Sequence, residues 1–364
     1  MRLFLQRLGS AFAYTTVRQV KVHSVTVGLL YLTLVVAISA YVVGYEFFLG
    51  HGYQDTDVVK GTVSVKVKGT AHSACGQGLK DCVDGMRVWD TTDLVTKTED
   101  SAFVTTAITN TIQNQTKCAG THADPASPDT FNEDCTQGGE QACQRDRASW
   151  SGVQTGACLP PNEQGVRWCE VRGWCPAEDS EEKPLLLEGV DSWTLFIKLQ
   201  VHFSKFGSSW DNANGTELVR GWNLFSVADI LDKAGVEWNN ETRQDGVDVL
   251  MQFALDCNLD NGQQCVPEIT VERTDLASSL SKGYNERTAV FFSDAQNKYD
   301  DGLSRELWKR YGVKVRVLLT GSARKFDFVV AATRLGAGLA LLSVATVVAD
   351  LVIIWLLPRR KDYY

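Results

Sequence analysis

The balance of apolar and polar positions changes abruptly at two places along the chain. From Val25 to Phe48 the residues are apolar almost without a break, VTVGLLYLTLVVAISAYVVGYEFF, with one charge at Glu46. From Phe328 to Leu357 such a run returns, FVVAATRLGAGLALLSVATVVADLVIIWLL, broken only by Arg334 and Asp350. Each run is long enough to cross a bilayer core of roughly 30 Å as a helix. Between them the pattern is short and alternating. In VSVKVKG (Val63–Gly69) the valines take one face while Ser64, Lys66 and Lys68 take the other, because strand side chains alternate with period two. GMRVWD, SAFVTTAITN, SWTLFIKLQVHF (Ser192–Phe203), TAVFFSDA and GVKVRVLLTG also read as strands between turns. NLFSVADILDKAG (Asn223–Gly235) has helical spacing, with Ser226 as cap and Gly235 as stop. DVLMQFALDCNLD leads to Cys257 and Cys265, close enough to close a local loop. Strands without regularly interposed helices predict an antiparallel β body rather than βαβ units.

The predicted fold is therefore an α+β membrane protein: two transmembrane helices flanking a large, disulfide-rich, mainly antiparallel β extracellular domain. The expected limits are a cytoplasmic N-terminus at 1–24, a first membrane helix at 25–48, an extracellular domain at 49–327, a second membrane helix at 328–357 and a cytoplasmic tail at 358–364. A cleaved signal peptide fits the first run poorly, since its polar lead-in is long, its apolar core too extended, and no A-x-A site follows. Charge sets the orientation. Arg2, Arg7, Arg18 and Lys21 precede the first run without an acid, and Arg359, Arg360 and Lys361 outweigh Asp362 after the second. The chain's net charge is −8 while these two flanks carry +4 and +2, so the remainder carries −14, and positive flanks stay cytoplasmic. All ten cysteines and the three N-x-S/T sequons, at Asn114, Asn214 and Asn240, fall in the acidic stretch. An even cysteine count on one side of a membrane reads as a disulfide framework in an oxidising compartment. No C-x-x-C pair is present, which argues against a zinc-finger-type site. Cys118–Cys175 holds six cysteines among Gly, Asn, Asp and Pro, so it is expected to be a protruding subdomain stapled covalently rather than by a core. No long flexible linker precedes either membrane run.

Catalytic motifs are missing. There is no P-loop, G-x-S-x-G or H-E-x-x-H. A cell-surface nucleotide hydrolase shares the two-pass layout but needs a Gly-rich phosphate loop with carboxylates and a hydroxyl; the nearest stretch, DNGQ (Asp260–Gln263), lacks the hydroxyl. A two-anchor adhesion receptor and a proton- or peptide-gated channel share the layout as well. The informative residues are the few cations in strand contexts: Lys66 and Lys68, Lys198, Arg287 and Lys309. Two lysines side by side on one strand face repel unless an anion lies between them, and phosphate suits such a cluster.

KVKG, WTLFIK, GYNxR, WKRYGVKV, RKFDF and GAGLALLSVATVVAD, with YTTVR (Tyr14–Arg18) and GYQDTD (Gly52–Asp57), occur here in an order that resembles the P2X purinoceptors, the ATP-gated cation channels, over nearly the whole chain. The resemblance implies a plasma-membrane homotrimer, not an enzyme, that conducts Na+, K+ and Ca2+ when ATP binds between subunits. It implies an ATP site made of Lys66, Lys68, Thr194 and Lys198 on one subunit, facing Asn285, Arg287 and Lys309 on the next. ATP is the expected ligand, with or without Mg2+; there is no cofactor, and a modulatory Zn2+ site stays open. The expected partners are the lipid bilayer, ATP and the permeant cations, with no nucleic acid. Pairings Cys118–Cys175, Cys135–Cys158, Cys143–Cys169 and Cys257–Cys265 are implied; the family's fifth pair, near residues 210–225, is absent. Cys75 and Cys82 are extra and are expected to pair with each other. Gly336, Ala340 and Ser343 are expected to face the pore axis as its gate. Three departures stand out. Glu286 replaces the usual Phe, which is expected to set an acid beside the phosphates with Lys282 offsetting it. Arg334 stands where the family often has Asn. The chain stops at Tyr363-Tyr364, where the family's Y-x-x-x-K motif would begin. Asp350, deep in the second membrane run, is expected to pair at a helix interface.

Overall fold

The computed structural model describes residues 24–75, 82–121, 132–178, 183–213, 217–262, 265–275, 283–292 and 303–355. Tyr14–Arg18, Asn214, Lys282 and both predicted cytoplasmic tails lie outside them, apart from residue 24. The chain opens with helix α1 (Val25–Ser39), whose last turns widen to π spacing over Ala40–Leu49. Strands β1 (Gln54–Val58), β2 (Lys60–Lys68), β3 (Thr70–Ala74) and β4 (Met86–Asp90) follow. A single turn, α2 (Thr91–Leu94), leads to β5 (Val95–Lys97) and β6 (Ser101–Ala119). The cysteine-rich segment contributes β7 (Gly152–Cys158) and β8 (Cys169–Cys175). Then come β9 (Leu185–Leu186), β10 (Thr194–Phe203), β11 (Ser208–Asp211), β12 (Leu224–Ser226), α3 (Val227–Lys233) and α4 (Asn240–Asp245). β13 (Val247–Asn258), β14 (Glu268–Arg273), β15 (Asn285–Phe292), β16 (Ser304–Phe326) and α5 (Phe328–Trp355) complete the chain.

Contacts divide the chain into two compact units. The first joins residues up to Thr56, Leu259–Gly262 and the chain from Arg324 onward. Among the described residues, the α1 segment through Leu49 and α5 are the two helices long and apolar enough to span a membrane. They approach closely at Gly338, where a Cβ would run into Val42. Ala331, Ala345, Ala349 and Ile353 are buried with Gly338 on the same side of α5. Small residues permit such an approach, and lipid offers no hydrophobic drive to replace it. Asp327 caps α5 by accepting from Val330 N at 2.9 Å. Asp260 accepts from Gln54 Nε2 at 2.6 Å and from Phe326 N at 2.9 Å, which is why this short piece between two cysteines groups with the membrane helices.

The second unit spans Asp57–Asn258 and Gln263–Ala323. Its large sheet runs β14-β13-β16-β6-β8-β7, with β15 added to β16 and both β5 and β9 to β6. A smaller sheet runs β11-β10-β12 with β2 on β10, and β3 pairs with β4. The pairings of β2, β11 and β12 with β10, of β14 with β13, of β6 and β15 with β16, of β3 with β4, of β5, β8 and β9 with β6 and of β7 with β8 are antiparallel, as the sequence predicts. Alternation builds the core. Leu195, Ile197 and Leu199 of β10, Val249, Met251 and Phe253 of β13 and Val313 and Val315 of β16 are all wholly buried. Each such side chain contributes about 1.5–3 kcal/mol relative to exposure. α3 starts at a capping box in which Ser226 and Asp229 satisfy each other's backbone N–H. Those bonds from Ser226 hold the Asp229 carboxyl below its ordinary range.

Two strands exceed their sequence limits. SAFVTTAITN is only the first half of β6; the polar TIQNQTK half has no apolar rhythm and is held as a strand by its neighbours. β8 pairs along Asn114–Ala119 and β16 along Ser101–Asn114. ELWKRYG and GVKVRVLLTG are one strand, β16, continuous from Ser304 to Phe326. A bulge opposite Tyr311 and Gly312 leaves Thr106 of β6 unpaired in the ladder, and its hydroxyl donates to Arg243 O at 2.7 Å.

The structure contains the disulfides Cys75–Cys82, Cys118–Cys175, Cys135–Cys158, Cys143–Cys169 and Cys257–Cys265. The cysteine-rich segment belongs to the second unit, and β7 and β8 extend the large sheet. Its interior is Cys135, Cys143 and Cys169 rather than large apolar residues. Beside them the buried Glu133 carboxylate accepts from Thr121 N at 3.0 Å, Ser151 N at 2.6 Å and Ser151 Oγ at 2.7 Å.

Candidate ligand-binding site

The lysines of VSVKVKG stand as the alternation predicts. Val65 and Val67 are buried; Lys66 and Lys68 are exposed on the other face of β2. β10 lies antiparallel to β2, with Thr194 opposite Lys68, Phe196 opposite Lys66 and Lys198 opposite Ser64. Opposed residues share a face, so four of the seven candidate ligand residues, Lys66, Lys68, Thr194 and Lys198, line one surface. Thr194 Oγ1 donates to Lys68 O at 3.4 Å. Among the described residues neither Lys66 nor Lys68 has an ion-pair partner.

The other three candidates gather on the large sheet. Asn285 is opposite Tyr311 and Arg287 is opposite Lys309. Arg287 Nη1 donates to Asn285 Oδ1 at 3.2 Å. Both cations hold one carboxylate that sequence reasoning did not single out, Glu178. Arg287 Nε donates to both of its oxygens at 3.1 Å, Arg287 Nη2 lies 3.0 Å from Oε1, and Lys309 Nζ lies 3.4 Å from Oε1. Glu178 reaches this position because the chain after Cys175 is pinned down. Gln113 Nε2 donates to Pro176 O at 2.8 Å, and Thr121 Oγ1 donates to Glu178 O at 3.0 Å. The only signal for it in the sequence is the acidic run PAEDSEE directly after Cys175.

The expectation for Glu286 is corrected. Although it precedes Arg287, it sits on the opposite face of β15, because neighbouring strand residues point to opposite sides. There it faces Arg310 across the ladder and accepts from Tyr284 OH at 3.3 Å, while Lys314 Nζ donates to the same hydroxyl at 2.9 Å. Burial pushes the Arg310 guanidinium below its ordinary range, and Glu286 and Asp93 pull it back up. Glu286 is thus a counter-charge for a half-buried arginine. Burial likewise lowers Arg305, against the pull of Glu178.

The two clusters lie on different sheets, and among the described residues no hydrogen bond or ion pair joins them. One chain therefore presents two separate cationic clusters, one on each sheet.

On α5, Gly336, Ala340 and Ser343 are exposed. At roughly 100° per residue they point away from the side carrying Ala331, Gly338 and Ala345. Arg334 lines a cleft of about 230 Å³ between α1 and α5 whose wall includes Glu46, Tyr41 and Phe47. Tyr41 OH donates to Glu46 Oε1 at 3.0 Å. Asp350 is exposed in the single chain.

Comparison with known proteins gives a consistent result. A family model described as ATP P2X receptor matches residues 12–364. P2X purinoceptor 4 of Bos taurus is 32% identical across 97% of this chain and 92% of its own length. P2X purinoceptor 5 of Homo sapiens is 31% identical across 97% of this chain and 80% of its own. A P2X receptor from the Gulf Coast tick, solved with ATP and Zn2+, superposes with a TM-score of 0.71 at 27% identity, covering 89% of this chain and 99% of that one. The chicken P2X7 receptor, solved with the competitive antagonist TNP-ATP, shares the fold with a TM-score of 0.72 at 24% identity, covering 89% and 98%.

Proposed function

The chain belongs to the ATP P2X receptor family, so it is an ATP-gated cation channel and not an enzyme; we propose that it works as a homotrimer with ATP held between subunits. The observation that carries this reading is the pair Arg287 and Lys309 on one carboxylate. They are a preassembled dication in one row of the sheet, occupied by a weak internal anion that a polyphosphate with a charge of roughly −4 outcompetes. Lys66 and Lys68 of the neighbouring subunit complete the charge balance. In this reading Thr194 and the backbone beside it hold adenine, while Lys198 and Asn285 complete the site. Mg2+ accompanies the phosphates. The tick receptor solved with Zn2+ makes a modulatory zinc site a reasonable second ligand class for this relative.

The proposed mechanism follows from differential affinity. ATP does work on the pore only to the extent that it binds the closed-jaw arrangement of two subunits better than the open one. A change of about 10⁴ in the gating equilibrium needs roughly 5.5 kcal/mol in total. Charge-assisted hydrogen bonds contribute about 1.5–3 kcal/mol each, so one new contact per site in three sites suffices. β16 carries Lys309 and ends one residue before α5, which transmits the movement to the helix. Gly336, Ala340 and Ser343, on the side of α5 turned from α1, form the gate that Na+, K+ and Ca2+ pass. Both termini are cytoplasmic in the plasma membrane, and exposed Asn114 and Asn240, with Asn214, carry glycans.

Whole-cell recording from cells expressing the full chain tests the reading. ATP should evoke an inward cation current. The Lys66→Ala, Lys68→Ala double variant should shift the half-maximal ATP concentration upward by at least about 100-fold, the loss of two charge-assisted contacts. A surface-expressed double variant with unchanged ATP sensitivity would refute the site.

A further inference from the structure

The row that begins with Arg287 and Lys309 continues onto β6. Arg287 is opposite Lys309, and Lys309 is in turn opposite Thr109. Directly opposed residues of antiparallel strands share a face, so Thr109 stands third in the row, on the inner side of the two cations. It is 5% exposed, and its Oγ1 is buried without a hydrogen-bond partner among the described residues. Buried hydroxyls almost always find one. The other buried threonines of β6 do: Thr105 donates to Leu94 O at 2.8 Å and Thr106 to Arg243 O at 2.7 Å. An apolar residue would fill the position of Thr109 at lower cost in an empty receptor. The carboxylate on this row, that of Glu178, is held by Arg287 and Lys309.

We propose that the Thr109 hydroxyl is a further residue of the polyphosphate site, a neutral donor that is satisfied only when ligand is bound. As the phosphates displace the Glu178 carboxylate from Arg287 and Lys309, Thr109 donates its O–H to a phosphate oxygen held by Lys309. A hydroxyl that lacks a partner in the empty receptor and gains one with ligand favours the bound arrangement, the only kind of contact that biases gating. The proposal rests on the assignment of Lys309 to ATP, and the test separates the two.

Full-length Thr109→Val, Thr109→Ser and Lys309→Ala variants are compared by surface labelling and ATP concentration–response. Valine keeps the shape and removes the hydroxyl; serine keeps the hydroxyl. T109V is expected to raise the half-maximal ATP concentration about 5- to 20-fold at normal surface level, the worth of one hydrogen bond. T109S is expected to stay within about threefold of the parent on the same scale. A T109V receptor with parental ATP sensitivity, or T109S as impaired as T109V, overturns the role of the hydroxyl while leaving the site intact, provided K309A is impaired. If K309A itself responds like the parent, the ATP site is misassigned and the Thr109 proposal falls with it. Should T109V fail to reach the surface, Thr109→Ala replaces it against T109S with the same criteria.

Discussion

Arg287 and Lys309 were legible in the sequence because a cation within a short β pattern is conspicuous in an acidic domain. Glu178 was not, because nothing local marks it. It lies 109 residues from Arg287 and reaches it through the pinning of Pro176 by Gln113 and of its own carbonyl by Thr121. Glu286 was misjudged for the complementary reason: adjacency in sequence suggested adjacency in space, and strand alternation reversed it. The electrostatic consequence is testable. Replacing Glu178 with Gln leaves the two cations without their internal counter-ion while keeping the shape of the side chain. ATP then displaces a neutral amide instead of a carboxylate, so the half-maximal ATP concentration should fall several-fold, roughly the 1.4 kcal/mol per decade of one partly exposed ion pair. Concentration–response curves for E178Q beside the parent measure it; an unchanged or raised value would show that the carboxylate orients the cations rather than blocking them.

At the scale of elements, patterns with one buried face were read from the chain and patterns without one were not. β2, β10 and α3 follow their hydrophobic periodicity, and the two long apolar runs form helices by length and composition. The second half of β6 is polar apart from Ile112 up to Cys118 and has no apolar alternation, so pairing with β8 and β16 makes it a strand. In α5 composition indicated only a run of small residues; the structure separates them into a side packed on α1 and a side left open. This division predicts cysteine accessibility. Gly336→Cys, Ala340→Cys and Ser343→Cys should be modified by a charged thiol reagent applied with ATP, with block of the current. Cysteines at Gly338 and Ala345, against α1, should react slowly or disturb assembly. Equal reaction rates on both sides, measured as current decay during reagent application, would contradict a pore lined by the open side.

At the scale of the whole molecule, the candidate ligand residues of one chain divide between two sheets, each set a half-site in the proposed homotrimer. Neither composition nor periodicity could show this, since each half-site looks like ordinary surface charge until the register is known. Trans complementation tests it. A chain with Lys66→Ala and Lys68→Ala and a chain with Arg287→Ala and Lys309→Ala should each respond poorly to ATP alone. Co-expressed, they should recover part of the response, because a mixed assembly contains an interface with both intact halves. Absence of recovery, with both chains shown to co-purify from the surface, would place the ligand within a single subunit. The unbroken course of β16 from Ser304 to Phe326 also constrains how this protein changes over generations. Sides of a strand alternate at every residue, so one residue gained or lost between Lys309 and Val317 would turn either the ligand lysine or the buried valine row to the wrong side. Descendant sequences are thus free to lengthen or shorten in connecting loops, while this one strand keeps its residue count as a fixed inheritance.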